Sequence, residues 1–468
     1  MGFKQISIKN TNKIIEYGLY LLAFLLPWQT RWIIKGGEIN NSFWEYGTIS
    51  LYGTDILLII VILLFIINVL KFSHHPSKAR NLHSDAPNPG FRIKCGMTVC
   101  WWFIAGLELI IFISIFFASD KVLALYKYGV FLLGIGLFWL IVSASYSRAK
   151  LFWSLLAGII LQASLGIWQF LSQSSFANKW LGMALHNPAD LGISVIETIG
   201  ADGIGERWLR AYGGLDHPNV LGGILAVGIL LLIAHSNTSQ AGTNLQMKRK
   251  YTNIQLSYYL IILLFLMAIF FTFSRGAWAG LLVGIILILV IAVIKKDLLS
   301  QKNVLNIIFI SSIFIFILFS QFSNLVLTRL SKDTRLEIKS NIERVESFKE
   351  AKIIIKNNWL FGAGIGNYTL ALNEQKPGLS VFSYQPVHNV FLLILAEVGL
   401  LGLLGFLGLF GYLGWLAWQR NPSMGLPILL AIAIMMMVDH WFWSLHFGVL
   451  FFWMTMGLIA KEVAISKI

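Results

Sequence analysis

Cysteine is nearly absent: Cys95 and Cys100 alone, both near the start of one apolar run, suggest neither a disulfide framework nor a thiolate metal cluster, and packing is their expected role. Charge is scarce too, at 12% of the chain, and acidic residues are the rarer sign, 22 Asp and Glu against 36 Lys and Arg. No Asp-rich or H-E-x-x-H cluster occurs, so neither a metal site nor a cofactor is expected. A G-x-x-x-x-G-K-[ST] loop is missing as well, which removes a standard nucleotide motor. The first apolar run, "IIEYGLYLLAFLLPW", is followed by bulky "QTRWIIK" and not by a small-residue cleavage site, so it reads as a retained span. Low-complexity tracts and fixed-period repeats are likewise lacking.

What the sequence has is hydrophobicity: 57% apolar residues and a mean hydropathy of +0.73, in runs near the length of a bilayer crossing. The chain is therefore expected to be an all-α polytopic membrane protein. The net charge of +14 invites a nucleic-acid partner, but the basic residues are scattered through loops between spans, where membrane topology explains them and no nucleic acid is expected.

About twelve spans follow from the twenty-residue criterion. They lie near 13–30, 54–70, 96–118, 123–144, 151–172, 219–235, 256–273, 276–294, 303–321, 388–417, 425–438 and 444–460. Alternation gathers the short basic loops, among them 71–94, "SYSRAK", "MKRK" and "WQR", on one face, and the positive-inside rule makes that face and both ends cytoplasmic. Five blocks result: spans one to five over 1–172, a large extracytoplasmic loop over 173–218, spans six to nine over 219–321, a second large loop over 322–387, and spans ten to twelve over 388–468. In the second loop Ile342, Val345, Phe348 and 353–355 recur near helical spacing among charges, which predicts an amphipathic helix on the membrane surface or over a cavity. The polar stretch 236–255 reads as a mobile cytoplasmic connection.

The chemistry-bearing residues cluster at outer helix ends. His388 stands where the second loop enters its helix and suits a base, a ligand or a structural hydrogen bond; Asn389 beside it suits a helix cap. Arg210 precedes span six, Arg275 sits in the tight turn between spans seven and eight, and Arg344 lies in the amphipathic segment. Singly they read as interfacial residues; together with His388 they suggest one anionic site, because guanidinium stays charged and chelates phosphate in a planar fork. Arginines suit a pyrophosphate leaving group, and a histidine suits removal of a hydroxyl proton. Asp216 and His217 offer another acid and base, against a plain turn that starts span six. Asp439 and His440 read as cavity wall or as interfacial anchors beside Trp441 and Trp443. Glu397, two and a half turns beyond His388, is expected to pair inside the bundle. The glycines at 399, 402, 405, 408, 411 and 414 read as a groove for close helix packing, and "WLFGAGIGNY" as a turn that shapes the lid.

"RAYGGLDHPNVLGG", "FTFSRGAWAGLLVG", "RVESFKEAKIIIKNNWLFGAGIGNY" and "HNVFLLILAEVGLLGLLGFL" follow one another in the order of the O-antigen ligase and polymerase superfamily, which the chain resembles over about residues 200–415. The resemblance implies a GT-C-like membrane glycosyltransferase, inverting and metal-independent, that moves a glycan from an undecaprenyl-diphosphate donor to a glycan, lipid or protein acceptor at a bacterial inner membrane. It implies His388 as the base, Arg210 and Arg275 on the diphosphate, and substrate contacts from Arg344, Asn389 and His217. Arg344 has a second expected role, a salt bridge to Glu346 or Glu350. Phe348 stands where the family often carries Trp. The competing reading is a transporter, either a lipid-linked-glycan flippase or a bicarbonate or other small-anion carrier, which should show midplane ionisable residues or interrupted helices in matched halves. A scaffold that tolerates loss of His388 is the third reading.

Overall fold

The computed structural model describes residues 2–73, 95–199, 205–240, 248–331 and 334–465. The basic stretch 74–94, the centre of the 236–255 connection and the last three residues, on which part of the topology and mobility reading rests, lie outside them.

Among the described residues, twelve helices build the bundle: α1 (Gly2–Leu25), α2 (Gly53–Ser73), α3 (Cys95–Ser114), α4 (Lys121–Ser143), α5 (Arg148–Ser172), α6 (Pro218–Gln240), α7 (Lys248–Thr272), α8 (Arg275–Ile294) and α9 (Leu298–Gln321), then α13 (Val390–Arg420), α14 (Pro422–Val438) and α16 (His446–Ile465). Ten of the described helices are long and apolar enough to cross a bilayer, against the twelve spans expected; α1, polar in its first half, and α14, at 17 residues, occupy the other two expected positions without meeting that measure. The chain is a multi-pass all-α membrane protein. Buried Cys100 packs in its core, as expected.

The first span ends earlier than expected. Pro27 disfavours helix at the residue before it, and the β-branched run beyond pairs as strand β1 (Arg31–Lys35) with β4 (Ile49–Tyr52), enclosing the small hairpin β2 (Glu38–Ile39) and β3 (Ser42–Phe43). In the first large loop, β5 (Val195–Ile199) and β6 (Gly205–Leu209) form an antiparallel hairpin that the sequence reading did not contain. The second large loop holds α10 (Ser323–Leu330), α11 (Arg335–Asn357) and α12 (Tyr368–Gln375), and α15 (Trp441–Ser444) links α14 to α16. These segments form one layer at a single end of the bundle. Thr30 Oγ1 donates to Trp180 O at 2.6 Å, Asn40 Nδ2 to Leu379 O at 3.0 Å, and Arg335 reaches Glu197 at 2.6 Å.

At the centre stands α6, apolar on all sides and almost wholly buried against α5, α7, α8 and α14, as such a helix must be. Around it α8 packs on α14, α4 on α16 and α3 on α13. Helix α13 is broken: Gly399 has φ 79° and ψ −174°, and a Cβ there would stand 2.1 Å from Leu360 O. The break is spliced to 359–364, with Ala363 N donating to Ala396 O at 2.8 Å, Gly364 N to Glu397 O at 2.9 Å and Leu400 N to Trp359 O at 2.8 Å. So Gly399 serves a bend and not the packing groove, and Gly411 meets no neighbour; Gly405 and Gly408 do face α3, at Leu107 and Phe103.

On α11 the expected apolar residues Ile342, Val345 and Phe348 point outward and are exposed, while Glu337, Ser347, Ala351 and Ile354 are buried. This stripe suits a membrane surface, and the opposite face covers the bundle.

Candidate functional site: two chambers sharing a wall

Local sequence places each polar group. Ser274 caps α8 by accepting from Ala277 N, which sets Arg275 at the first turn. Pro218 opens α6, so Asn219 stands at its mouth. Asn389 caps α13, accepting from Leu392 N at 3.0 Å and donating to Met437 O at 3.0 Å, which ties the start of α13 to the end of α14 and holds His388 and Asp439 near each other. The capping reading of Asn389 is thus the geometry observed.

Two cavities open among these groups. The smaller, about 250 Å³, is lined by Arg275, Arg329 and Arg344, with Gly276, Ile434 and Val438 on its helical walls. The wider, about 530 Å³, is lined by His217, His388, Glu397, His440 and residues of the β1–β4 segment. Asn219, Asp439 and Trp441 line both and form the shared wall.

Beside the smaller chamber, Arg275 and Arg329 converge on the buried carboxylate of Glu337. Arg275 Nη2 lies 3.3 Å from Glu337 Oε2, Arg329 Nη1 pairs with Glu337 Oε1, and Arg329 Nε donates to Phe273 O at 3.1 Å. Arg344 has no ion pair among the described residues, and the expected bridge to Glu346 or Glu350 is displaced: Lys376 takes both, at 2.8 and 3.0 Å. Three guanidinium groups face this chamber against the carboxylates of Asp439 in its wall and Glu337 beside it, a net positive lining that suits an anion.

Arg210 stands behind the wall, not in it. It is 3% exposed, and its guanidinium donates to Thr272 O at 2.7 Å, Ser194 Oγ at 2.5 Å and Asn219 Oδ1 at 3.0 Å. Asn219 Nδ2 in turn donates to Asp439 Oδ2 at 2.7 Å. The relay runs Arg210, Asn219, Asp439, His388, the last step being 3.9 Å from Asp439 Oδ1 to His388 Nδ1, which has no hydrogen-bond partner.

Electrostatics follow from burial and these neighbours. Burial alone would raise the Asp439 carboxyl, but the approach of His388 and the nearby rings of His440 and His217 outweigh it and hold the group below the usual carboxylate range. His440 is lowered to about 4, chiefly by burial, and its Nδ1 meets Ser444 Oγ at 2.6 Å. His217 is lowered to about 3 by burial and then by Arg210; its Nδ1 accepts from Asn219 N at 3.1 Å, so the neutral ring keeps its proton on Nε2. Desolvation by the surrounding chamber walls raises the Asp216 carboxyl, and Glu45 adds to the shift; the residue itself is exposed and faces the wider chamber with no hydrogen bond or ion pair among the described residues. Glu397 accepts from Trp443 Nε1 at 2.9 Å inside the bundle, as expected, yet it also reaches the chamber wall. Donor atoms of His388, Asp439 and His440 all lie within 4.8 Å of one another, so among the described residues these three could share an ion.

The site thus gathers His388, His217, Arg275 and Arg344, with Asn389 at its edge and Arg210 in support. Asn219, Arg329 and Glu337 were missed by sequence reasoning. Arg329 had a weak signal, a lone cation in the apolar "NLVLTRL"; Asn219 and Glu337 had none beyond polarity near a helix end.

Comparison with known families adds one match: residues 260–407 fit the family described as O-Antigen ligase. The matched segment contains Arg275, Arg329, Glu337, Arg344, His388 and Asn389, and leaves Arg210, His217, Asn219 and Asp439 outside. No curated protein matches the chain significantly.

Proposed function

We propose that this chain, whose residues 260–407 match the family described as O-Antigen ligase, transfers a glycan from an undecaprenyl-diphosphate carrier to an acceptor hydroxyl on the extracytoplasmic face of a bacterial inner membrane, both termini being cytoplasmic. The observation that carries this reading is the pair of chambers: an anion site of three arginines touches, through one wall, a cavity that holds His388.

In this reading the donor diphosphate sits against Arg275, Arg329 and Arg344, and the isoprenoid leaves over the outer ends of α8 and α14, past exposed Ala279 and half-buried Ile434, since the two helices pack too closely for it to pass between them. The acceptor hydroxyl approaches from the wider chamber. Its oxygen attacks the anomeric carbon opposite the diphosphate, and the carbon–oxygen bond to the diphosphate breaks with its electron pair on the departing phosphate oxygen. One displacement of this kind inverts the anomeric centre. The arginines stabilise the charge that develops on the leaving group, the role otherwise filled by a divalent cation.

His388 takes the hydroxyl proton. A small closing motion brings Nδ1–H onto Asp439, which fixes the tautomer and leaves Nε2 as base; such a base contributes roughly 10²- to 10⁴-fold. Asn219 keeps Asp439 in place, and Arg210 keeps Asn219 in place, so Arg210 acts here as a positioning residue rather than a diphosphate ligand. The neutral His217 offers Nε2–H to an acceptor oxygen.

A carrier is the second reading, because α13 is interrupted at Gly399 next to buried Glu397. The break, however, is closed by backbone hydrogen bonds to 359–364, and no described helix of the other half carries a matching one. Purified protein in liposomes with an undecaprenyl-diphosphate oligosaccharide and an acceptor extract separates the two. Glycosidic product of inverted anomeric configuration supports the transferase, and donor movement across the bilayer without product supports the carrier.

A further inference from the structure

His388, Asp439 and His440 come from two helix ends that one side chain ties together. His388 precedes α13, Asp439 and His440 follow α14, and Asn389 Nδ2 bonds to Met437 O at 3.0 Å between them. One donor atom of each residue lies within 4.8 Å of the other two, and all three residues line the wider chamber, which gives a solute a way in. Transfer employs His388 and Asp439 and leaves His440 idle.

The three groups are held in the state that a metal ion takes. Ser444 Oγ donates to His440 O at 3.1 Å, so at 2.6 Å it accepts from His440 Nδ1–H, and the lone pair of that ring is left on Nε2. Asp439 Oδ2 accepts from Asn219 Nδ2 at 2.7 Å and Oδ1 from His440 N at 2.7 Å, and each oxygen keeps a further lone pair. His388 Nδ1 is buried, has no hydrogen-bond partner among the described residues and lies 3.9 Å from Asp439 Oδ1. A buried nitrogen left unpaired beside a carboxylate calls for something between them.

Two imidazoles and one carboxylate, with Ser444 and Asn219 bonded behind them, are the ligands and outer partners of a zinc site whose fourth position is open to the chamber. Zinc bonds would bring the ligand atoms to about 3.4 Å from one another, so the side chains must close inward by about 1 Å. That is the sense of the motion which brings His388 onto Asp439 during transfer. Magnesium and calcium take oxygen ligands, so the nitrogen pair selects against them.

We propose that His388, Asp439 and His440 form a zinc site whose occupation switches transfer off. The ion bonds to His388 Nδ1 as the N–H bond there breaks, and the proton passes through solvent to Nε2, the atom that serves as base in the metal-free chain. The ring stays neutral, Asp439 stays ionised, and no lone pair is left for the acceptor hydroxyl. Metal-free protein is therefore the active form. The site stands on its own geometry, whereas its effect on transfer rests on the transferase reading.

The test uses the full, untagged chain in nanodiscs, stripped with chelator and titrated by calorimetry with zinc alone; the visible absorption of cobalt(II) is the second readout. One zinc per chain is expected, held about 100-fold or more weakly in His440→Gln and about tenfold more weakly in Ser444→Ala, as loss of a ligand and of an outer partner require. Wild-type pyrophosphate binding by both metal-free variants shows that they are folded. Zinc should then slow transfer from an undecaprenyl-diphosphate oligosaccharide by at least about 100-fold, the worth of the base, without changing KM for the donor. In His440→Gln, measured against its own metal-free rate, the zinc needed should rise in step with the loss of binding. No stoichiometric binding, or equal binding by wild type and His440→Gln, overturns the site. Stoichiometric binding with transfer intact overturns the switch, as does equal inhibition of both proteins, which traces to zinc on the donor's own diphosphate. Transfer that chelation removes and zinc restores overturns it too, by making the ion part of the reaction. Absence of transfer by metal-free wild type, with zinc binding as expected, overturns the transferase reading and not the site.

Discussion

Glu337 is the anion already paired with two of the arginines proposed to hold the donor diphosphate, and Glu337→Gln separates stability from binding. Its carboxylate is 6% exposed in the side chain, faces Arg275 at 3.3 Å and pairs with Arg329. At an effective dielectric of about 20, each contact of that length carries about 5 kcal/mol of gross attraction. Desolvation offsets most of it, and Arg275, 30% exposed, is partly screened by water, so the net loss is discounted to about 2–3 kcal/mol from the range for broken buried pairs. Unliganded Glu337→Gln should therefore melt several degrees below wild type at a fixed scan rate. Pyrophosphate should bind it more tightly than wild type, because no internal carboxylate competes. Ligand at a hundred times its Kd adds about 2.7 kcal/mol, so pyrophosphate at that level should return the variant to about the apparent Tm of unliganded wild type. The assay is thermal unfolding in detergent with and without pyrophosphate, paired with equilibrium binding. Weaker pyrophosphate binding by the variant, or no thermal rescue, would refute the chamber as an anion site.

Further outcomes follow from the same geometry. Arg275→Lys keeps the charge but loses the fork, and turnover should fall about 10²-fold or more with donor affinity reduced; full activity would argue against diphosphate contact. Gly399→Ala puts a Cβ 2.1 Å from Leu360 O at a positive φ, so at least about 1–2 kcal/mol of strain plus the backbone collision should lower both yield and apparent Tm, while Gly411→Ala, which meets nothing, should leave both unchanged. His217 and His186, lowered to about 3 and about 4 chiefly by burial, take up a proton later in the folded than in the unfolded chain. Stability is therefore full above pH ~6.5 and is lost as pH falls toward those values, by about 2 kcal/mol for His217 at pH ~5. A Tm that stays flat from pH 7 to 5, or a slope unchanged in His217→Gln, would contradict this. Chelation with EDTA should leave transfer intact; loss that zinc restores would instead put an ion on His388, Asp439 and His440.

Much of the architecture was legible because the bilayer forces it: a long apolar run must become a helix, and its length and flanks show in sequence. The small sheet at 31–52 was not, since "RWIIK" reads as the tail of a span until Pro27 is allowed to end the helix. His388, Arg275 and Arg344 could be grouped because alternation puts helix ends on one face. What alternation cannot resolve is which side of a wall a guanidinium occupies, so Arg210 and Arg275 looked alike. Only the three-dimensional arrangement shows Arg210's donors taken by Thr272, Ser194 and Asn219. Asn219 and Glu337 were illegible for a related reason: each acquires its place from partners far away in sequence, 220 positions in the case of Asn219 and Asp439.

The central claim, that a base on α13's threshold works against a diphosphate held next door, is tested most directly by single-turnover transfer from an undecaprenyl-diphosphate oligosaccharide in wild type and His388→Ala. His388→Ala should bind donor with wild-type affinity and transfer about 10²- to 10⁴-fold more slowly. Unchanged transfer by His388→Ala would contradict it.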